Sequence, residues 1–571
     1  MNSSEVGKSN EAGSARLNND LLCLIFMKNT QLDDPSHNRL LTARSSSQVC
    51  QEWRTILLKS PSIWGRLLDL DELEKQPFIW RELLVKRIAD SLLWIRGTVT
   101  AEMRAYFSQL LEDKWDRIQL LDISDPEQNQ NKVELQKQYA PLLKTASSMQ
   151  IFKLKIAEKF IPIGSSKLNQ LSLEGLLFND HAPYLEELVI DGISWKLQGD
   201  MLWLSNLRVM SFEHQDSTPE LLQLLSQMPL LEHVRIAEHC DPPFQSDEEE
   251  TMQLPPLKLP HLISLWLNSH FVSALLPFLE RLLPSPKCGL HLDKPDHSTR
   301  AFAIIDLEDI HLEKNWDTRT VQAIMQFMES YFQHHPPTSL SIYVGVKGTG
   351  ITIQDYWRTE ECPLFPSTCF SSVFPVCAAK KFYNAAEWSS FEWLPSIDKL
   401  EFSMIHEERP TYDFPLTSLL SALSSVTTLC VSAESMLFLM KHRSVFEPTF
   451  FPKMYTLKLT YNQNPHHPTA DPNRILPAFM FHCVESGTPL SVLDLTFFDS
   501  QTGMPNLDFL DDALFNHLII KWKKDVPGEE PIIQEEKCDP KVLEAFRSRY
   551  VPYAPRPATR LTLYDILMAR Q

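Results

Sequence analysis

The sequence predicts an α/β protein: a small all-α module at the N-terminus, then a long, irregular solenoid with a parallel sheet on its concave side. Three observations predict it. Apolar residues recur at helical spacing in two short runs between about residues 17 and 68. Beyond about residue 100, short alternating apolar segments return again and again, each followed by a helical stretch. Hydrophobic residues make up 43% and charged residues 22% of 571, ordinary globular usage with material for several cores.

In chain order, residues 1–16 form a polar tail expected to be disordered. Residues 17–68 form the helical module. In LNNDLLCLIF, Leu17, Leu21, Leu22, Ile25 and Phe26 make one apolar stripe, and Asn18, Asn19 and Asp20 stand where cap acceptors are wanted. A second helical run is predicted over Arg39 to Leu58. It places Val49, Trp53, Ile56 and Leu57 on one face, with Cys50 beside them. Pro61 ends that run, so Ile63 and Trp64 are expected to fold back on it. About fifty residues bury too little surface to be comfortably stable alone, so the stripes call for cover from the rest of the chain or a partner helix.

Residues 69–100 read as a linker with lead-in helices, and residues 101–505 as the solenoid. Its strands are expected at DRIQLLDIS (116–124), SMQIFKLKIA (148–157), PYLEELVIDGI (183–193), SNLRVMSFEH (205–214), PLLEHVRIAE (229–238) and PHLISLWLNS (260–269). They continue at TSLSIYVGV (338–346), SIDKLEFSMI (396–405), SVTTLCVSA (425–433), PKMYTLKLTY (452–461) and PLSVLDLTFF (489–498). Helical spacing fills the gaps, as in Met103, Tyr106, Phe107, Leu110 and Leu111, or Val321, Ile324, Met325, Met328, Tyr331 and Phe332. The early spacing, roughly 22–35 residues, is that of leucine-rich repeats, whose units bury their faces only by stacking. Long inserts interrupt the pattern around 285–395, and residues 506–571 read as a C-terminal cap and tail.

Composition excludes several classes of function. Lys and Arg total 54 against 73 Asp and Glu, a formal charge of -19, whose field repels phosphate backbones; no nucleic-acid partner is expected. Fifteen glycines leave little for phosphate-cradling loops. GVKGTG (345–350) lacks the Walker spacing and reads as a turn. HEERP (406–410) has Pro410 where a zincin needs its second His. His334, His335, His466 and His467 read as solvated loop residues, and no two cysteines have CxxC spacing, so no metal and no cofactor are expected. There is no GxSxG elbow or Cys–His constellation, no catalytic residue is assigned, and an enzyme is not expected. DEEE (247–250) reads as a charged loop. No run is long and apolar enough for a membrane span, the N-terminus lacks the apolar core of a secretory signal, and scattered cysteines suit reduced thiols. A cytoplasmic or nuclear protein is expected.

LNNDLLCLIF (17–26) and SQVCQEWRTILLKSPSIW (47–64) together resemble an F-box of the fungal F-box-like type with a C-terminal leucine-rich-repeat domain. The match runs through Leu17, Leu21, Leu22, Ile25, Phe26, Val49, Cys50, Trp53, Arg54, Pro61 and Trp64. Asn18 stands where that family has proline, and Asp20 replaces its glutamate. WRELLVKRIADSLLWIRG (80–97) resembles the family's lead into its repeats. The resemblance implies a substrate-recognition receptor of an SCF-type cullin–RING E3 ubiquitin ligase. Its F-box would bind a Skp-type adaptor, and through it a cullin, while the repeats capture a target protein. Carried over by position, the adaptor-binding residues are Leu17, Leu21, Leu22, Ile25, Val49, Cys50, Trp53 and Leu57. The alternative reading is a leucine-rich-repeat scaffold whose F-box has drifted and which stands outside any ubiquitin ligase.

Overall fold

The computed structural model describes residues 18–30, 38–126, 132–156, 171–172, 176–191, 193–194, 201–214, 217–238, 253–268, 276–283, 285–286, 288–293, 318–345, 348–354, 368–374, 391–404, 413–445, 450–460, 471–498, 505–524, 532–539 and 543. The chain divides into two compact units, Met1–Asp216 with Glu220–Leu231, and Ser217–Pro219 with Glu232–Gln571.

The first unit opens with helices α1 (Asn19–Asn29), α2 (Arg39–Val49), α3 (Gln51–Leu58) and α4 (Pro61–Gly65). Asn18 caps α1 by accepting the Asp20 N–H at 3.1 Å, and Asn38 caps α2 by accepting from Leu41 at 2.7 Å. The single run expected from Arg39 to Leu58 is in fact two helices. Cys50 turns fully extended (φ -155, ψ 168), and its Sγ accepts the Trp53 N–H at 3.4 Å, capping α3. That break swings Val49 off the face that carries Leu57, so the one apolar face expected across Cys50 does not form. Pro61 starts α4 rather than merely ending α3. Ile63 and Trp64 do fold back: they are 0% and 2% exposed, and the Trp64 indole N–H donates to the Leu57 carbonyl at 2.7 Å.

Strands β1 (Leu68–Asp69), β2 (Leu93–Thr98), β3 (Ile118–Asp125) and β4 (Ile151–Ile156) follow, then Glu187–Asp191 and Val209–His214. Each pairs in parallel with the next. Ile95, Leu121, Phe152, Leu188 and Met210 lie in register across this sheet, all buried, with helices such as α7 (Ala101–Lys114) packing Met103 and Phe107 into the same core. On the other face Arg96, Asp122, Lys153 and Val189 are in register, and the Lys153 ammonium pairs with Glu187 at 2.8 Å. The sheet therefore begins with β1 at the boundary of the helical module, and β2 lies inside the stretch 69–100 read as a linker with helices. α5 (Leu70–Glu74) and α6 (Phe78–Ile88) lie in that stretch, and β2 lies beyond them.

In the second unit His233–Glu238, Ser264–Asn268 and Gly289–Asp293 form a parallel run. Another runs through Ser339–Gly345, Lys399–Met404, Thr428–Val431, Thr456–Leu459, Val492–Asp494 and Ile519–Lys524. Leu340, Leu400, Leu429, Leu457, Leu493 and Ile520 are in register and buried, one side chain per repeat. Between the two runs, within the irregular 285–395 region, Gly348–Gln354 and Thr368–Phe374 form antiparallel pairings. Gly345 stands opposite Gly348 in the antiparallel pairing. Past residue 505, where only a cap and tail were expected, Ile519–Lys524 extends the parallel run and Ile532–Lys537 pairs antiparallel at its edge. This is a mixed α/β chain built on a large parallel sheet. Among the described residues no helix is long and apolar enough to cross a membrane.

Candidate adaptor-docking surface

α1 is apolar on two sides. Leu22 and Phe26, four residues apart, point into the module and are 3% and 4% exposed. Leu21 and Ile25, one position earlier and so about 100° around the helix, remain 50% and 43% exposed, with Leu24 at 61% beside them. A helix apolar all round is normally buried all round; here one side stays in water. The buried side is fixed by the Trp53 ring of α3, edge-on to Phe26 at 5.1 Å between centroids.

The residues carried over from the sequence thus separate into three groups. Leu21, Ile25, Val49 and Cys50 are exposed, and Trp53 is half-buried against Phe26. Leu22 and Leu57, 3% and 0% exposed, are core of the module rather than surface. They cannot touch an outside protein without unpacking the helices, which corrects the expectation that they face one. Leu17 lies outside the described residues. Sequence reasoning missed Leu24 and Leu58 (43% exposed), because both fall off the stripe that the core residues define. The signal that could have found Leu24 is the excess of apolar residues on α1 beyond what one buried face needs.

The module is joined firmly to the first strands. Arg39 of α2 pairs with Asp69 of β1 at 3.0 Å, and the Asn38 amide donates to Glu72. The Ser91 hydroxyl donates to the Pro61 carbonyl at 3.0 Å. At Gly65 a Cβ would collide with the Leu92 carbonyl oxygen, so only glycine lets α4 approach the start of β2 this closely. The exposed ridge is therefore held in a set orientation to its own sheet.

Elsewhere, polar clusters read as structure. The Arg104 guanidinium makes two bonds to Asp125, at 2.8 and 3.0 Å, and the Tyr139 hydroxyl donates to the same carboxylate at 2.9 Å. Burial, then the Asp125 charge, pushes the Tyr139 hydroxyl well above its ordinary pKa. In the second unit Glu401, Cys430, Lys458, Asp494, Lys521 and Glu535 are in register across the outer face of the strands, with Lys458–Asp494 at 3.6 Å and Lys521–Glu535 at 2.6 Å. Burial raises the Cys430 thiol to about 11, which keeps it a neutral packing group. His334 ends the helix Thr318–His334 with its Nδ1 3.0 Å from the Ser330 carbonyl, and the His335 ring stacks on Tyr331. His466, His467, HEERP and DEEE lie outside the described residues.

No protein-family model matches the chain, and no curated protein matches it. Among solved structures it is similar to the leucine-rich repeat-containing protein LegL7 from Legionella pneumophila. That likeness has 14% identity and a TM-score of 0.25, covering 57% of this chain and 85% of that one. The description of this chain as repetitive rests on its own strand ladders.

Proposed function

We propose that the chain is a substrate-recognition receptor of an SCF-type cullin–RING ubiquitin ligase, acting in the cytoplasm or nucleus. Its N-terminal module docks on a Skp-type adaptor, the adaptor bridges to the cullin, and the repeats capture the protein to be modified. The observation that carries this reading is the water-facing apolar side of α1, with Leu21, Leu24 and Ile25 unburied on a helix whose other side is already packed. The chain itself performs no bond chemistry. It raises the effective concentration of a substrate lysine near a conjugating enzyme held elsewhere in the complex. A stacked-repeat sheet with the ridge anchored to its first strands suits that positional work.

Affinity purification of the full chain, with and without proteasome inhibition, tests the proposal. It should recover a Skp-type adaptor in both conditions and accumulate ubiquitinated proteins under inhibition. Leu21→Asp should lose the adaptor. One observation favours the scaffold reading, namely Asn18 in the place of the family's proline. Asn18 still caps α1 through its side-chain oxygen, so the helix start survives the change. Native complexes that lack any adaptor while retaining other proteins would select the scaffold.

A further inference from the structure

A group of arginines and tryptophans in the first unit carries chemistry that the apolar ridge does not use. Arg44 of α2 and Arg87 of α6 both lie over the Trp80 ring, 4.8 and 5.9 Å from its centre. Arg87 also lies over Trp64 at 4.6 Å. Burial, and then the positive charge of Arg54 on α3, lower the Arg87 pKa, so the charge acting on this guanidinium is another cation. Arg44 and Arg54 are exposed and Arg87 is half-buried. Among the described residues none of the three side chains has an ion pair or a hydrogen bond. Neighbouring arginines do find carboxylates: Arg39 takes Asp69 and Arg104 takes Asp125.

Among the described residues the three cations have no carboxylate paired to them, and desolvation of Arg87 adds to the cost of holding them together. An external carboxylate would relieve both. A guanidinium laid on an indole face keeps its in-plane N–H fork available, in the geometry that accepts a carboxylate through two bonds. The chain as a whole carries -19, so a strongly acidic ligand is repelled generally and favoured locally here. We propose that this arginine–tryptophan face binds an acidic segment of a partner protein, whose Asp or Glu side chains pair with Arg44, Arg54 and Arg87. The inference goes beyond the ligase reading, since it concerns charged side chains and an acidic ligand rather than the apolar ridge.

Fluorescence anisotropy with the full chain tests it, using a labelled Glu-rich peptide and the same peptide with Gln in place of Glu. The Glu peptide should bind, and should weaken as NaCl rises from about 0.05 M to about 0.5 M. Arg44→Glu with Arg54→Glu should weaken binding at least about tenfold, and Arg44→Lys with Arg54→Lys by less, because charge remains while the fork is lost. Both positions are exposed and the charge reversal removes like charge from Arg87, so the melting curve should not fall. Leu21→Asp should leave peptide binding intact, whether or not an adaptor binds the ridge. Equal binding of the Gln peptide, full affinity in the charge-reversed variant, equal competition by inorganic phosphate, or no binding at low salt would each overturn the proposal.

Discussion

Truncating the water-facing side of α1 should damage docking without damaging folding. Fully burying a Leu or Ile side chain is worth about 1.5–3 kcal/mol. Leu21 and Ile25 still expose 50% and 43%, so roughly half of that value, about 1 kcal/mol each, is left for a partner to gain. Leu21→Ala with Ile25→Ala should therefore cost about 2 kcal/mol of binding, roughly a 30-fold rise in Kd. Folding stability should change by only about 1 kcal/mol, since the half of each side chain that the chain already covers is partly offset by alanine's better helix propensity. The inner pair behaves oppositely: Leu22→Ala or Leu57→Ala removes a side chain 3% or 0% exposed and should cost about 2–5 kcal/mol of stability. Calorimetric titration of the full chain with a purified Skp-type adaptor, alongside urea denaturation, measures both quantities. An unchanged Kd in the Leu21/Ile25 double variant would refute the assigned surface. A loss of several kcal/mol in folding would show instead that the chain already covers this ridge.

Other consequences follow from packing and charge. Asp125→Ala leaves Arg104 without its buried carboxylate and Tyr139 without its acceptor, and should cost about 3–5 kcal/mol in denaturant unfolding; Tyr139→Phe should cost only about 1 kcal/mol. Cys430 holds its proton to about pH 11 when folded but loses it from near pH 9 when unfolded. The unfolded state then binds fewer protons, so stability falls as pH rises through that window, by about 2–3 kcal/mol. Urea unfolding at mildly and strongly alkaline pH should show Cys430→Ala losing less over this interval than the wild type; an identical loss would mean the thiol is not shielded. Gly65→Ala drives a Cβ against the Leu92 carbonyl oxygen and should lower the melting temperature, equivalent to about 1–3 kcal/mol. An unshifted melting curve would show that α4 can move away from β2.

The repeating strands were legible because each is half-buried and so alternates. Lys399–Met404 reads inward at Leu400, Phe402 and Met404 and outward between them. The strand segments read from the sequence at 116–124 through 489–498 each overlap a strand of the structure. β2 was hidden because Leu93, Trp94 and Ile95 follow a helix with no breaking residue, so their apolar run continues its pattern. β1 is two residues long and carries no period at all. The antiparallel strands at 348–354, 368–374 and 532–537 fall where the sequence reads as inserts or a tail, outside the strand-then-helix repeat that marks strands elsewhere.

What the amino-acid order determined by itself is local: where the chain alternates, where it coils, and that Asn18 stands where a helix wants its cap. Which leucines of α1 end up inside was decided only when α3 brought Trp53 against Phe26. Two apolar faces about 100° apart are equivalent in a free helix, and only a packed neighbour distinguishes them. The same holds for the arginines: Arg39 and Arg44 look alike along the chain, and tertiary contact gave one a carboxylate and the other the face of an indole.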